Sequence, residues 1–437
     1  GFPFQPFQPF QRTSFESCTR LIHSFSRRTR NRVCEIITMS APLIGGDEVN
    51  AVVLDIGTYQ AKAGYAGEDA PKFSCPTQLG VSGSGSGSGN ASKDAMDIDQ
   101  RQFKAGIGAL ETAVDGMEVV SPFKDGVLDD WEAVEALCDH LLTSQMRLNT
   151  EEHAVMLGEA SHNTDSAREK MVELMFEKYN VPAVFLAKNA VLSSFAMGKP
   201  TSLVVDMGHE STVVSAVHDG FLLKKSIVKS PIAGQYLTKC MQQAIEHKKV
   251  KLRPRYSFKR VENEKTGAVT VKDVNCANVT DSFKAYHVAA ICEDAKHTVC
   301  RQLSDTPFSP EDNANIPNVT YELPDGQEIS IGTPRFTIPE ILFKPSLAKD
   351  LKMGAHEDSL ALPQIVVDSI NKCDIDVRRE LFNSILLTGG SSMFGSIQKR
   401  LEEDLQQLVP SMMKFKVTAQ ANTVERRYSA WIGGADL

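Results

Sequence analysis

The chain is 437 residues long, 42% hydrophobic and 23% charged, with a formal net charge of −8. That length exceeds one small core and suits two lobes of ordinary domain size, and the composition is globular, with enough apolar side chains for sizeable cores. The acidic balance excludes a protein that coats nucleic acid or anionic membrane over its whole surface, and no apolar run approaches the roughly 20 residues of a membrane-spanning helix.

Residues 1–38 differ in composition from the rest: Gly1 to Phe10 repeats Phe, Gln and Pro, and Arg20 to Arg32 is rich in arginine and poor in acids. A mitochondrial transit peptide shares that bias, but no amphipathic period runs through it, so a disordered leader before Met39 is the expectation. Ala51 to Leu54 is a short apolar strand ending in Asp55-Ile-Gly57-Thr58. Residues 82 to 89 alternate Ser and Gly, and polar residues follow to Asp99, a composition that builds a flexible loop and no core. Asp129 to Leu148 reads as an amphipathic helix with Trp131, Val134, Leu137, Cys138, Leu141 and Leu142 on one face. Asp165 is placed to cap a second helix with inner residues Val172, Met175, Phe176 and Tyr179, and a third runs from about Ala187 to Met197, ended by Gly198.

The opening pattern then returns. Leu203 to Val205 is an apolar strand ending in Asp206-Met-Gly208-His209, followed by alternation from Thr212 to Val217. The two Asp-x-Gly turns lie 151 positions apart, which predicts an internal duplication of two α/β lobes. A third strand, Ser384 to Leu387, runs into Thr388-Gly389-Gly390-Ser391-Ser392-Met393 and a helical stretch.

The nine cysteines are scattered without a C-x-x-C pair and read as reduced thiols of the cytosol or nucleus. Cys292, His297 and Cys300 come nearest to a metal cluster, but Val288, Ile291, Cys292, Ala295, Val299 and Leu303 mark one helical stripe, so core packing is the expectation. Sequons begin at Asn90, Asn278 and Asn318, and such triplets arise by chance where nothing signals secretion.

Each Asp-x-Gly alone is an ordinary hairpin turn. The set of two matched hairpins and a Gly-Gly-Ser loop says more. Glycine lets the backbone approach a ligand so that N–H groups meet phosphate oxygens. Asp55 and Asp206, at the ends of facing strands, could hold Mg²⁺ through its waters. The Gly389–Gly390 turn leaves space for a base or ribose, and the helix expected after it favours anionic charge.

The stretches Asp55-Ile-Gly-Thr…Lys62-Ala-Gly64-Tyr-Ala-Gly67, Glu340-Ile-Leu-Phe…Pro345-Ser346, Lys372-Cys-Asp-Ile-Asp376 and Arg427-Tyr-Ser-Ala-Trp431-Ile-Gly433-Gly434 resemble actin, over nearly everything from about Val49 to Gly434. The resemblance implies an α/β, two-lobed fold of duplicated ribonuclease-H-like domains around an ATP cleft. Its four subdomains would be 48–77, 122–197 and 429–437; 78–121; 198–233 and 351–428; and 234–350. By position, Asp55, Gly57, Thr58, Tyr59 and Lys62 match the first phosphate hairpin, and Asp206, Gly208 and His209 the second. Gly234, Lys296, Gly389, Gly390, Ser391, Met393, Phe394 and Arg427 fall where the nucleoside would be held, with ATP or ADP and Mg²⁺ as the implied cofactors.

In actins the attacking water is ordered by a glutamine on the helix between the lobes and by an aspartate and a histidine after the second hairpin. Here those positions read Asn189, His209 and Val213. Asparagine is one methylene too short and valine offers no hydrogen bond. Losing such groups typically costs 10²–10⁴ in rate, while binding through backbone amides and Mg²⁺ survives, so no catalytic residue is assigned.

The polar Ser-Gly loop stands where actins grip the next subunit, and a flexible loop is a poor filament contact. A basic insertion, His247 to about Ser282, carries Lys248, Lys249, Lys251, Arg253, Arg255, Lys259 and Arg260, read either as a solvated surface loop or as a nuclear-import or nucleic-acid contact. The insertion, the phrase Asn422-Thr-Val-Glu-Arg-Arg-Tyr-Ser and the altered water positions together look most like the nuclear actin-related protein 4 group. That resemblance implies a nuclear subunit pairing with actin on a long helix of a chromatin-remodelling ATPase or an acetyltransferase scaffold. Histones or DNA would be further candidate partners, and a membrane is not expected. The alternatives are a slow actin-like ATPase, a sugar-kinase-like phosphotransferase, which would need a general-base aspartate not found here, and a cytoskeletal filament protein. The family continues beyond Trp431-Ile-Gly-Gly-Ala-Asp-Leu437 with helices that complete the first subdomain and its partner groove, so the expectation is either a sequence that stops short or an altered groove.

Overall fold

The computed structural model describes residues 51–82, 101–262, 269–276, 278–302, 317–353, 356 and 358–437. The leader, the Ser-Gly repeat beyond Ser82, the Asn90 sequon and Leu303 lie outside them.

In the first lobe, β1 (Val52–Ile56) turns at Gly57 into β2 (Gln60–Tyr65), and β3 (Phe73–Pro76) adds to the far edge. After a small three-stranded sheet (Leu79–Ser82, Gln102–Lys104, Glu118–Val120) come α1 (Trp131–Cys138), β4 (Val155–Glu159), α2 (Asp165–Glu177), β5 (Val184–Lys188) and α3 (Asn189–Ala196). The main sheet runs β5-β4-β1-β2-β3, antiparallel at the hairpin and parallel at β1/β4 and β4/β5. Every residue of β1 is buried, as expected of a central strand covered on both faces.

The second lobe repeats this plan. β6 (Ser202–Met207) turns at Gly208 into β7 (Thr212–His218); α4 (Gly234–Glu246) and α5 (Asp281–Val299) follow, and then β8 (Ile385–Thr388), α6 (Ile397–Leu408), β9 (Val417–Ala419) and α7 (Thr423–Ala435). Its sheet runs β9-β8-β6-β7, with β6/β7 antiparallel and β6/β8 and β8/β9 parallel, and with Phe221–Leu222 and Val228–Ser230 both on β7. The registers correspond residue by residue: Asp55 faces Lys62 as Asp206 faces Val213, and Gly57 N–H bonds Gln60 O at 3.1 Å as Gly208 N–H bonds Ser211 O at 3.1 Å. The expected duplication is thus present in strand order and register.

Several local expectations are adjusted. The first helix is α-helical to Cys138 and continues as a π-turn over Asp139–Gln145. Thr164, not Asp165, caps α2, its Oγ1 accepting from Ala167 N–H at 3.2 Å; Asp165 occupies the first turn, where its charge meets the positive end of the helix dipole. Ala187 lies in β5, which ends at Lys188, and α3 starts at Asn189. Cys292 and Cys300 are buried in the second core while His297 faces the cleft, and no three-residue metal cluster occurs among the described residues.

Helix α7 crosses α3 and ties the C-terminal segment to the first lobe. An added Cβ on Gly433 would meet Leu192 O at 1.9 Å, so only glycine permits this approach. Trp431 is fully buried beside it, its Nε1–H donating to Val53 O at 3.0 Å. The resemblance motif around Trp431 is therefore a packing motif.

Candidate functional site: a cleft between two matched hairpins

Both hairpins and the β8 loop open onto one cavity of about 500 Å³ between the lobes. Asp55, Gly57, Thr58, Tyr59 and Lys62 line it from the first hairpin, and Asp206, Gly208, His209 and Val213 from the second. Gly234, Lys296, Gly389, Gly390, Ser391, Arg427 and Asn189 line it as well.

The two floor carboxylates are unequal. Asp55 is buried against Lys62, whose Nζ donates to Asp55 Oδ2 at 2.5 Å. Asp206 faces the apolar Val213 across its own hairpin. Burial first, and then the charge of Asp55, push Asp206 up to about 6, with Lys62 pulling the other way. Two carboxylates sharing one lysine have room for a further cation.

Asn189, His209 and Val213 all line the cavity. Asn189 opens α3, and its Oδ1 is buried with no hydrogen-bond partner. Val213 is buried at 8% exposure. His209 stacks beside Tyr59 with ring centroids 4.9 Å apart. Burial pushes His209 down to about 4; Glu293 opposes this, and Lys296, Lys239 and His297 reinforce it.

The β8 loop is braced by its own backbone. Gly389 has φ +89°, and a Cβ there would meet Met207 O at 2.5 Å, whereas Gly390 has nothing within 4 Å of its Cβ position. The first glycine makes the turn and the second leaves open space. Ser391 Oγ donates to Gly208 O at 2.8 Å, which locks this loop to the second hairpin.

Three expectations fail here. The loop enters a four-residue 3₁₀ turn, Gly390–Met393, and α6 begins only at Ile397, so no α-helix N-terminus faces the cleft from this loop. Met393 and Phe394 do not line the cavity; that turn carries them away, and Phe394 packs on the second core. Lys296 does line it, but its Nζ is taken up by Gly234 O at 3.0 Å and Thr238 Oγ1 at 2.8 Å, so it braces α4.

Residues not foreseen also line the cleft. Glu159 is buried with Lys188 at 3.1 Å and accepts from Asn163 at 2.8 Å, and Glu293 on α5 approaches His297 at 3.7 Å. A polar i, i+4 pair on the face of α5 opposite its core stripe was the available signal for Glu293 and His297. Arg426, rather than Arg427, supports the loop, donating to Ser392 O at 3.2 Å and to Gln420 O.

The residues present fit a magnesium nucleotide. The orphaned Asn189 Oδ1, the facing carboxylates and the open space at Gly390 are features that a bound polar ligand would complete.

The actin family profile matches residues 46–437. The chain is 47% identical over 416 residues to a protein of Oryza sativa subsp. japonica named actin-related protein 4, a match covering 90% of this chain and 94% of the relative. It is 44% identical over 423 residues to an Arabidopsis thaliana protein of the same name, covering 90% and 93%, and 34% identical over 404 residues to one from Yarrowia lipolytica, covering 92% of each. Similarity of this depth across nine-tenths of both chains, on the duplicated sheets described above, means that the chain belongs to the actin family, as an actin-related protein of the type numbered 4.

Proposed function

We propose that this chain is an ATP-binding, non-filament-forming nuclear subunit of chromatin-remodelling and histone acetyltransferase assemblies, pairing with actin on a long helix of their scaffold. The observation that carries the reading is the floor of the cleft. Both carboxylates and both hairpins are retained, while Asn189, His209 and Val213 replace the groups that would order an attacking water.

Asp55 and Asp206 would hold Mg²⁺ through its waters, and the ion would supply the positive charge their proximity calls for. Gly57, Thr58, Tyr59 and Gly208 would meet the phosphates with backbone N–H groups. Gly234, Gly390, Ser391 and Arg427 would border the nucleoside. The four-subdomain division given above belongs to this reading. Bound nucleotide, ATP or ADP, then acts as a structural ligand joining the lobes, and its stabilisation grows with ligand concentration.

A slow ATPase is the second reading, favoured by the Asn189 acceptor, which is buried beside the cleft without a protein partner. One measurement separates the two. Phosphate release from the wild type should be far slower than actin's, and Asn189→Gln with His209→Asp and Val213→His should raise it by about 10²–10⁴. Hydrolysis as fast as actin's in the wild type would overturn the structural-ligand reading.

A DNA contact would rest on the basic insertion. Its described part includes a hairpin, Phe258–Glu262 with Val269–Asp273, rather than an irregular loop. Arg253 pairs with Asp273, Arg260 pairs with Glu322 at 2.8 Å, and Lys248 donates to Ser330 O, so these three serve the fold. Lys259 stands directly across from Lys272, both exposed, with no ion pair for either among the described residues. Like charges so placed repel, and an acidic partner relieves them.

A further inference from the structure

Among the described residues, the hairpin of the basic insertion, Phe258–Glu262 with Val269–Asp273, is a sheet of two strands that pair only with each other. One of its faces is fastened to the second lobe. Phe258 is buried under the Arg253 guanidinium, which lies 5.2 Å from the ring centre and pairs with Asp273. Two residues along, Arg260 donates to Glu322 at 2.8 Å and to Leu323 O at 3.3 Å. The alternation of a strand therefore sends Lys259 and Val261, and across from them Lys272 and Thr270, to the opposite face, where all four are exposed.

The edge of the second strand is open as well. Val274 N–H donates to Ser257 O at 2.9 Å, which makes these two, next along the register, a hydrogen-bonded pair. In an antiparallel ladder such pairs alternate with open ones. Lys259 and Lys272 therefore bond to each other, as do Val261 and Thr270, while Val271 and Asp273 turn their N–H and C=O groups outward. Among the described residues no strand and no backbone hydrogen bond reaches that edge. Lys249, Lys251 and Arg255 are exposed on the residues leading into the hairpin, so the charge here is positive in a chain whose net charge is −8.

We propose that Val269–Asp273 accepts an extended acidic peptide of a partner protein as a third strand, its backbone paired to Val271 and Asp273 and its carboxylates set beside Lys272. This rests on the reading of the insertion as a contact surface and is independent of the nucleotide. An unpaired edge is a template for another strand, and side chains directly across such a pairing interact. Duplex DNA would meet the lysines, but it offers no donors to the outward C=O groups, and Asp273 opposes its phosphates. A second copy of this chain, edge to edge, would add lysines to lysines. A peptide alternating acidic and apolar residues satisfies the amides, the carbonyls and the charge together.

The test is fluorescence anisotropy on the full chain, with a labelled short peptide alternating glutamate and valine and, separately, a labelled DNA duplex. The peptide should bind, and Lys272→Glu should weaken it roughly tenfold, because a cross-strand attraction becomes a repulsion of similar size. That variant keeps its fold, since the new carboxylate faces Lys259 and relieves the hairpin's own repulsion. Val271→Pro removes an outward N–H at an edge position where proline is tolerated, and it should abolish peptide binding while leaving any DNA binding as it was. N-methylation of one alternate set of peptide amides should abolish binding to the wild type, which checks the pairing without altering the protein. Peptide binding that survives Val271→Pro and N-methylation of either set, yet is lost in Lys272→Glu, would be a charge contact without strand pairing and would overturn the proposal. Binding of DNA alone, weakened by Lys272→Glu, would overturn it while leaving the insertion as a DNA contact. Binding of neither probe would remove the contact reading along with it.

Discussion

The first and second hairpins share one backbone plan and carry opposite electrostatic designs. In the first, the residue across from the aspartate is Lys62, and the pair is buried and mutually neutralised. In the second, the corresponding position is Val213, and the next polar residue at the tip is His209, held neutral by burial. Asp206 therefore has no counter-ion of its own and is pushed up to about 6. Duplication preserved strand order and register because these follow from core packing, which both lobes need alike. Charge did not have to be preserved, and the cleft floor became one compensated site beside one where charge is disfavoured until a cation arrives.

The comparison breaks most visibly at Asp55. Asp55→Ala strips the buried Lys62 of its partner, which typically costs about 3–5 kcal/mol. The nearby Asp206 partly compensates, so the low end of that range is expected, together with loss of any ATP-dependent rise in melting temperature. Asp206→Asn should act in the opposite sense on the ligand-free chain. It removes a carboxylate that burial and Asp55 both disfavour, gaining on the order of 2 kcal/mol at neutral pH after allowance for solvent reaching it from the cleft. Binding of magnesium nucleotide should weaken in both variants. Thermal melts with and without Mg·ATP read both quantities, and equal destabilisation by the two substitutions would mean that the hairpins are electrostatically alike after all.

Much of this was legible in the chain. The Asp-x-Gly turns with alternation after them located both hairpins, because the period-2 pattern and the turn residue are local signals. The altered Val213 was visible at once. The Leu110–Met117–Phe283 cluster, which joins the first lobe to the start of α5, was not, since these are isolated apolar residues in segments without a common period, and their meeting is a property of the folded lobes. Met393 and Phe394 were placed in the cleft by position in a motif, and a single 3₁₀ turn sends them elsewhere. Lys296 looked like a ligand-binding lysine, yet a carbonyl and a hydroxyl at hydrogen-bond distance on α4 claim it. Thr164 lost to Asp165 in the sequence because both residues cap helices well, and only the backbone shows which one is still non-helical.

The smallest expected effect follows from the second hairpin's preference for neutrality, and it is small because two terms oppose each other. Asp206 holds its proton in the fold up to about pH 6, against an ordinary value of 3.8, so between these limits the folded chain binds the extra proton and stability falls as pH rises. His209 refuses a proton down to about pH 4, against 6.5, so between those limits the unfolded chain binds the extra proton and stability falls as pH drops. Asp55 and Lys62 face the first group, and Glu293, Lys296, Lys239 and His297 act on the second; none of these requires either one to be charged at neutral pH. From about pH 4 to pH 6 the slopes nearly cancel in the nucleotide-free, metal-free chain. Relative to the wild type, Asp206→Asn should uncover the histidine limb, with stability dropping on acidification through that window. His209→Gln should uncover the aspartate limb, with stability dropping as pH rises through it. Denaturant midpoints at several pH values measure both differences, and parallel curves for the two variants would show that the hairpin tip does not disfavour charge.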